Sequence, residues 1–391
     1  MEQRTAKSHL LLTNSLYQFL PLAEPLRIVV GHLHPPPNFI GCGFLTLDYL
    51  ATVAAYPSPD QKIRSTSLKI QGGGNLGNAF TCAARLGLKP KLISKVANDA
   101  HGRRILEELD REGVDTSLVV VSEGTSAFCY VIVDNMAKTR TCVYTPVFPP
   151  MNPDELSKSR LLSALDGARL VYLDGKLHKT AIVVAQEAHR MGIPVLLDAE
   201  KKRKGQDVLL NLSTYVVCAT NFPQELTEAP SAPSALVSML VRFPSVKFVI
   251  VTLGEDGCIM LERSITGESD QSEEMDVDVL LNLLNQRRDN TTASPTCISS
   301  RVTRLGARGI GTVTGRLFVG TAEKIPASEV IDTTGAGDAF AGAVMYAICA
   351  GMPPEKMLPF AAQVAAEGCR ALGARTGLPH RTDSRLAPFL Q

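Results

Sequence analysis

Four apolar runs constrain the fold more than any other feature. They lie in "ARLVYLDG" (168–175), "IPVLLDA" (193–199), "STYVVCATN" (213–221) and "VKFVIVTLG" (246–254). A strand with one wet face alternates apolar and polar residues, whereas a strand covered on both faces does not. Helix-spaced segments such as "KTAIVVAQEAHRMG" (179–192) lie between the runs. This alternation predicts a doubly wound, mostly parallel α/β sheet. The 391 residues can bury the core of one large domain or two ordinary ones.

The rest of the chain supplies more elements. "RIVVG" (27–31) and "FIGCG" (39–43) read as strands, with the proline cluster of "HLHPPPN" looping out between them. "NAFTCAARLG" (78–87) reads as a helix and "KLISKV" (91–96) as a strand. "DAHGRRILEELDREGV" (99–114) is a further helix, with Ile105, Leu106 and Leu109 inward and Gly113 as its stop. Two regions break the pattern. "AFCYVIVDNMAKTRTCVYT" (127–145) reads as a hairpin and, with "YLATVAAYP" (49–57) and "IRSTSLKIQ" (63–71), suggests a small separate sheet. Residues 264–310 turn acidic and then rich in Ser, Thr, Asn and Arg. They read as a disordered insertion that tolerates excision of 265–309, with at most a short helix at "DVLLNLLNQ" (278–286).

Composition excludes several classes. A net charge of +1 gives no field to hold nucleic acid or an acidic membrane. The basic run Lys201-Lys202-Arg203-Lys204 follows a strand and reads as a solvated loop. Nine cysteines with no C-x-x-C pair suggest reduced thiols in an intracellular protein. No segment reaches the roughly 18 apolar residues of a membrane span. The first 24 residues lack a compact apolar stretch and a cleavage site, so no secretory signal is read. The expected location is cytoplasmic, with a plastid or other organellar transit peptide left open.

Three stretches carry chemistry. In "QGGGNLGNAF" (71–80), Gly72, Gly74 and Gly77 fit G-x-G-x-x-G and Asp99 lies about 20 residues on, as in a dinucleotide site. Asn75 and Asn78, whose amides both donate and accept, suit a polyol equally, and a capped strand-to-helix turn fits too. Asp48, after the glycine-rich strand end of "GCGFLTLDYLATV", can hold two sugar hydroxyls or serve as a turn former. In "DTTGAGDAFAG" (332–342), Gly335, Ala336 and Gly337 precede the helix-like "DAFAGAVMYAICAG". Unpaired N–H groups and the helix dipole there attract anions, and small residues let a phosphate approach. Asp338 beside such a nest is placed as a general base for phosphoryl transfer, beyond its plain value in the first turn of a helix.

Across roughly 41–263 and 311–380 the chain resembles the ribokinase-like (pfkB) carbohydrate kinases. "GGGNLGNAFTCAARLG" (72–87) looks like their N-terminal signature and "DTTGAGDAFAGA" (332–343) like their C-terminal one. Within the family the closest look is to ketohexokinase, through Gly73-Gly74-Asn75 with Asn78, "VIVDN" with "TRT", and "FAAQVAAEGC". The resemblance implies a three-layer domain from residue 41 to 391, a poorly ordered extension over 1–40, and a β lid from segments near 49–72 and 116–146. It implies Asp338 as base, N–H groups of Gly335, Ala336 and Gly337 as an anion hole, and Asp48, Gly74, Asn75 and Asn78 on the sugar. Arg140, Asn221, Thr252, Gly254 and Gly373 fall to ATP, and Asp332 and Thr334 to a monovalent-cation loop of the K⁺ kind. ATP with Mg²⁺ and a small sugar are the implied ligands, and pairing of lids into a homodimer is a further implication. The family's N-x-x-E motif is altered here to Asn221-Phe-Pro-Gln224, with Glu225 one place late. A nucleoside kinase, a sugar or nucleotide sensor on this fold, and a nicotinamide-dependent oxidoreductase using Gly72–Gly77 are the alternatives. No G-x-x-x-x-G-K-[ST] loop occurs, so a P-loop kinase is excluded.

Overall fold

The computed structural model of the chain describes residues 38–137, 139–203, 205–264, 274–289 and 291–390. The "RIVVG" strand and most of the N-terminal extension lie outside the described residues. The kinase-like domain begins earlier than residue 41, because Asn38–Cys42 is already a strand of the main sheet.

The four apolar runs form Ala168–Leu173, Val195–Ala199, Tyr215–Cys218 and Phe248–Thr252. They pair in parallel in that order, and Asn38–Cys42 and Lys89–Ile93 extend the sheet beyond Ala168–Leu173. Burial on both faces explains the absence of alternation: Leu170, Val171, Tyr172 and Leu173 are all fully buried. One face packs on the helices Asn75–Arg85, Ala336–Cys349 and Pro354–Gly368. The opposite face packs on Lys158–Leu165, His178–Arg190 and Ala232–Arg242. The outcome is the expected three-layer, doubly wound α/β fold. "KLISKV" breaks at Ser94 into Lys89–Ile93 and Lys95–Ala97, which belong to different sheets.

A separate four-stranded sheet follows the order Ser67–Gly73, Thr46–Val53, Phe128–Asp134, Thr139–Thr145. It contains the expected hairpin, whose turn is fixed by Asp134 accepting from the N–H groups of Met136 (2.8 Å) and Ala137 (2.9 Å), whereas Val120–Ser122, within the expected 116–146 segment, pairs with Lys95–Ala97 in a different sheet. Its inner face carries Leu50, Cys129, Val131 and Val133, packed with Leu372.

The disordered insertion expected over 264–310 is corrected for 274–310. Glu274–Asp276, Cys297–Ser299 and Thr303–Ala307 are strands of the main sheet: the latter two pair with the long strand Gly311–Gly320, and Glu274–Asp276 pairs with Thr303–Ala307 at the edge. Val277–Gln286 is a helix that buries Val277, Leu280 and Leu284. Asp278 ties it down by accepting from Ser231 (2.9 Å) and Ser234 (2.7 Å). Residues 265–273 lie outside the described residues. Excising 274–310 therefore removes a sheet edge and uncovers core. Leu284→Ala alone is expected to cost about 2–5 kcal/mol, read as a lower urea midpoint; an unchanged midpoint would mean the helix is not part of the core.

Candidate active site

The site forms where parallel strands end, the usual place for ligands on an open α/β sheet. Gly335 has φ 78° and ends the preceding loop, so the helix Ala336–Cys349 starts with no side-chain cap. A Cβ on Gly335 would stand 2.4 Å from Ala374, and one on Gly337 would meet nothing within 4 Å. Gly337 thus leaves open space at the helix N-terminus. The Ala336 N–H instead turns back to the Thr333 carbonyl at 3.3 Å.

Asp338 lies in the first helical turn, 9% exposed. Its Oδ1 accepts from Asn75 Nδ2 at 3.0 Å and its Oδ2 from Asn78 Nδ2 at 2.8 Å. Burial pushes its carboxyl up to about 7, against the pull of the Asn78 hydrogen bond, with Glu200 raising it further and Lys176 opposing. The asparagine pair does more for the protein than the sequence suggests. Asn78 also accepts from Arg375 Nε at 3.0 Å, so both ends of its amide are engaged. Asn75 Nδ2 also donates to Glu200 Oε1 at 2.6 Å. These amides orient the Asp338 carboxylate, and of the two only Asn75 keeps an oxygen without a protein partner among the described residues.

Beside them Asp48 is buried and accepts from Thr46 Oγ1 at 2.7 Å. Burial pushes its carboxyl up, against the Thr46 hydrogen bond and the Arg375 charge. A Cβ on Gly73 would strike Asp48 Oδ2, so this glycine makes room for the buried carboxylate. Gly74, with φ 84°, turns the chain into the helix Asn75–Arg85 and lies against the Phe44 carbonyl.

On the other side of the Asp338 helix lies a cavity of 640 Å³. Thr252, Gly254, Ala336 and Gly337 line it, with an apolar wall that includes Phe340, Ala362, Ala365 and Ala366. Its size and mixed lining suit a planar base with a phosphate chain. Among the described residues no group of three or more His, Cys, Asp or Glu could hold a metal ion. Magnesium carried on nucleotide phosphates needs few protein ligands.

Other expected residues sit apart from this cavity. Gly373 donates its N–H to Asp332 Oδ2 at 2.8 Å and stands against Gln71, off the cavity wall; Cys369 is on the wall instead. Asp332 Oδ1 accepts from the N–H (2.9 Å) and hydroxyl (2.6 Å) of Thr334, so the carboxylate already serves its own loop. Asn221 is exposed at the end of Tyr215–Cys218, off the wall. Arg140, from the hairpin of the four-stranded sheet, reaches Thr333 Oγ1 at 2.9 Å and so bridges that sheet and the helix-start loop. Asp99 caps the helix Ala100–Arg111 through Gly102 N–H at 2.7 Å, which uses the acid a dinucleotide site would need.

The structure adds Asp174, Lys176, Asp198, Glu200 and Arg375, which sequence reasoning missed. Asp174 and Asp198 are buried at strand ends, and Lys176 Nζ pairs with Glu200 Oε2 at 3.0 Å. An acid closing a fully apolar strand, as in "VYLD" and "VLLD", was the available signal.

Comparison with known proteins adds the family. The pfkB family carbohydrate kinase model matches residues 45–279 and 278–381. The chain belongs to the pfkB family of carbohydrate kinases. Ribokinase of Mus musculus is 23% identical over 357 residues, 89% of this chain and 93% of that one. An uncharacterized sugar kinase of Archaeoglobus fulgidus is 27% identical over 305 residues, 77% of this chain and 99% of that one. The structure of Arabidopsis thaliana ribokinase complexed with ribose and ATP shares the fold, with TM-score 0.64, 21% identity and coverage of 91% and 99%. These similar pfkB proteins are named ribokinase or sugar kinase, and none is named ketohexokinase.

Gly73→Ala tests the acceptor side of this pfkB site. It is expected to raise the acceptor KM at least about tenfold while the nucleotide KM stays within about twofold. Equal effects on both would show that Asp48 does not face the acceptor.

Proposed function

We propose that the chain transfers the γ-phosphoryl group of ATP to a hydroxyl of a free monosaccharide. One observation carries the reading: Asp338, with a carboxyl near 7, lies at the start of a helix whose first turn also lines the 640 Å³ cavity. It therefore faces donor and acceptor together. Asp48 Oδ2 and Asn75 Oδ1 hold acceptor hydroxyls, and Asp338 takes the proton of the attacking one. Gly335 and Gly337 clear the helix N-terminus for the transferring phosphoryl group, whose charge the N–H groups and dipole stabilise. Arg140 closes the lid against the same loop, which shuts out water and limits ATP hydrolysis. Magnesium, when bound with ATP, neutralises phosphate charge.

The names of the relatives favour ribose, and the ketohexokinase-like motifs favour a ketohexose. The Tyr144 ring, 61% exposed and edge-on to Phe44 at 5.6 Å, is the observation that favours a nucleoside as the second reading. An ATP/Mg²⁺ assay across ribose, ketohexoses, sugar phosphates and nucleosides tests all three. ATP binding without turnover on any acceptor would instead support a sensor.

Asp338→Asn is expected to lower kcat by about 10²–10⁴-fold while the protein stays folded. A base must be unprotonated to act, so kcat/KM in the wild type should climb as pH rises through about 7 and fall away below it. Near-wild-type turnover in Asp338→Asn would refute the assignment.

A further inference from the structure

We propose that Lys176 and Glu200 are a positioning pair which, through Asn75, fixes both the aim of the Asp338 carboxylate and the way the site reads its acceptor. The proposal rests on the kinase reading above and adds to it two residues that do not touch the reacting atoms.

The geometry is a chain of four groups from four elements, two strand ends and two helices. Lys176, just past the strand Ala168–Leu173, pairs with Glu200 Oε2 at 3.0 Å. Glu200, just past Val195–Ala199, accepts from Asn75 Nδ2 through Oε1 at 2.6 Å. The same Nδ2 donates to Asp338 Oδ1 at 3.0 Å. An amide nitrogen has two hydrogens, and here each goes to a different carboxylate. Glu200 is held ionised and only accepts, and Asp338 only accepts once it is ionised, so a flipped amide would face its oxygen to the Glu200 carboxylate and to Asp338 in the form that takes a proton. Asn75 Oδ1 is thereby left as an acceptor alone, and it reads a hydroxyl that donates. Without Glu200 one constraint is gone, and a flipped Asn75 would present a donor to the acceptor and an oxygen to Asp338.

Burial tends to neutralise both members of the pair, yet each holds the other charged. Burial pushes Glu200 up, but Lys176 and the hydrogen bonds outweigh it and hold it below the usual range. Burial likewise pulls Lys176 down, and Glu200 and Asp174 more than offset this. Asp338 also feels Asp174 and Asp198 at the strand ends, Tyr172 on the sheet, Cys82 on the adjoining helix and Arg375 behind Asn78. Glu200 and Lys176 can be changed singly with opposite electrostatic sign, which separates their effect from that background.

The test is the acidic limb of kcat/KM against pH for Glu200→Gln, Lys176→Met and Lys176→Arg, with Asp338→Asn in the same series. Glu200→Gln removes a negative neighbour and should move the limb down by about one pH unit. Lys176→Met removes the cation and should move it up by a similar amount, and Lys176→Arg should restore the wild-type position. Glu200→Gln should also lower kcat roughly ten- to hundredfold and raise the acceptor KM, with the ATP KM unchanged. Limbs that stay put, or shift the same way in both variants while Asp338→Asn is inactive, would overturn the pair's role and leave the base assignment intact. An active Asp338→Asn would instead locate the failure in the base assignment itself.

Discussion

Everything at this site depends on a carboxylate that the fold keeps out of water at a helix start. A buried Asp costs free energy when ionised, and the protein offsets this with directed hydrogen bonds from Asn75 and Asn78 and with the helix N-terminus. Burial outweighs these contacts, and the group comes to rest near 7. A group there is ionised enough to accept a proton and basic enough to hold it. The small residues of "DTTGAGDAFAG" keep this helix start open, because bulk at Gly335 would strike Ala374 and bulk at Gly337 would fill the open space beside it.

The sheet supplies the rest by convergence. Strands Ala168–Leu173 and Val195–Ala199 are adjacent and parallel, so their ends bring Asp174, Lys176, Asp198 and Glu200 beneath the Asp338 helix. Four acids and one lysine in so small a volume form an electrostatic setting as well as a binding surface. The four-stranded sheet adds contact from the other side through Arg140 and Thr333.

The architecture was legible because the buried parallel strands announce themselves as unbroken apolar runs. The region 274–310 was not, because its strands are short and lie at the sheet edge, where Cys297–Ser299 and Thr303–Ala307 need few apolar residues. Only the inward row of Val277, Leu280 and Leu284 carried a signal. Asp338 was legible from its sparse neighbours. The work of Asn75 and Asn78 was not, because their partners stand 125 residues away at Glu200, 263 and 260 away at Asp338, and 297 away at Arg375. Local spacing showed two amides beside glycines, and the family resemblance assigned them to the sugar. The fold gives their hydrogen bonds to the protein, two of the four going to Asp338 and the others to Glu200 and Arg375. Gly373 shows the converse: its place in the chain suggested the nucleotide, and its N–H is held by Asp332.

The most direct measurement is the titration of the Asp338 carboxyl itself, followed by carbon-13 NMR of aspartate-labelled protein and assigned by its loss in Asp338→Asn. The account predicts a midpoint near 7 in the ligand-free protein. A midpoint at the ordinary aspartate value of about 4 would contradict it, since burial would then not be what prepares this group to take a proton.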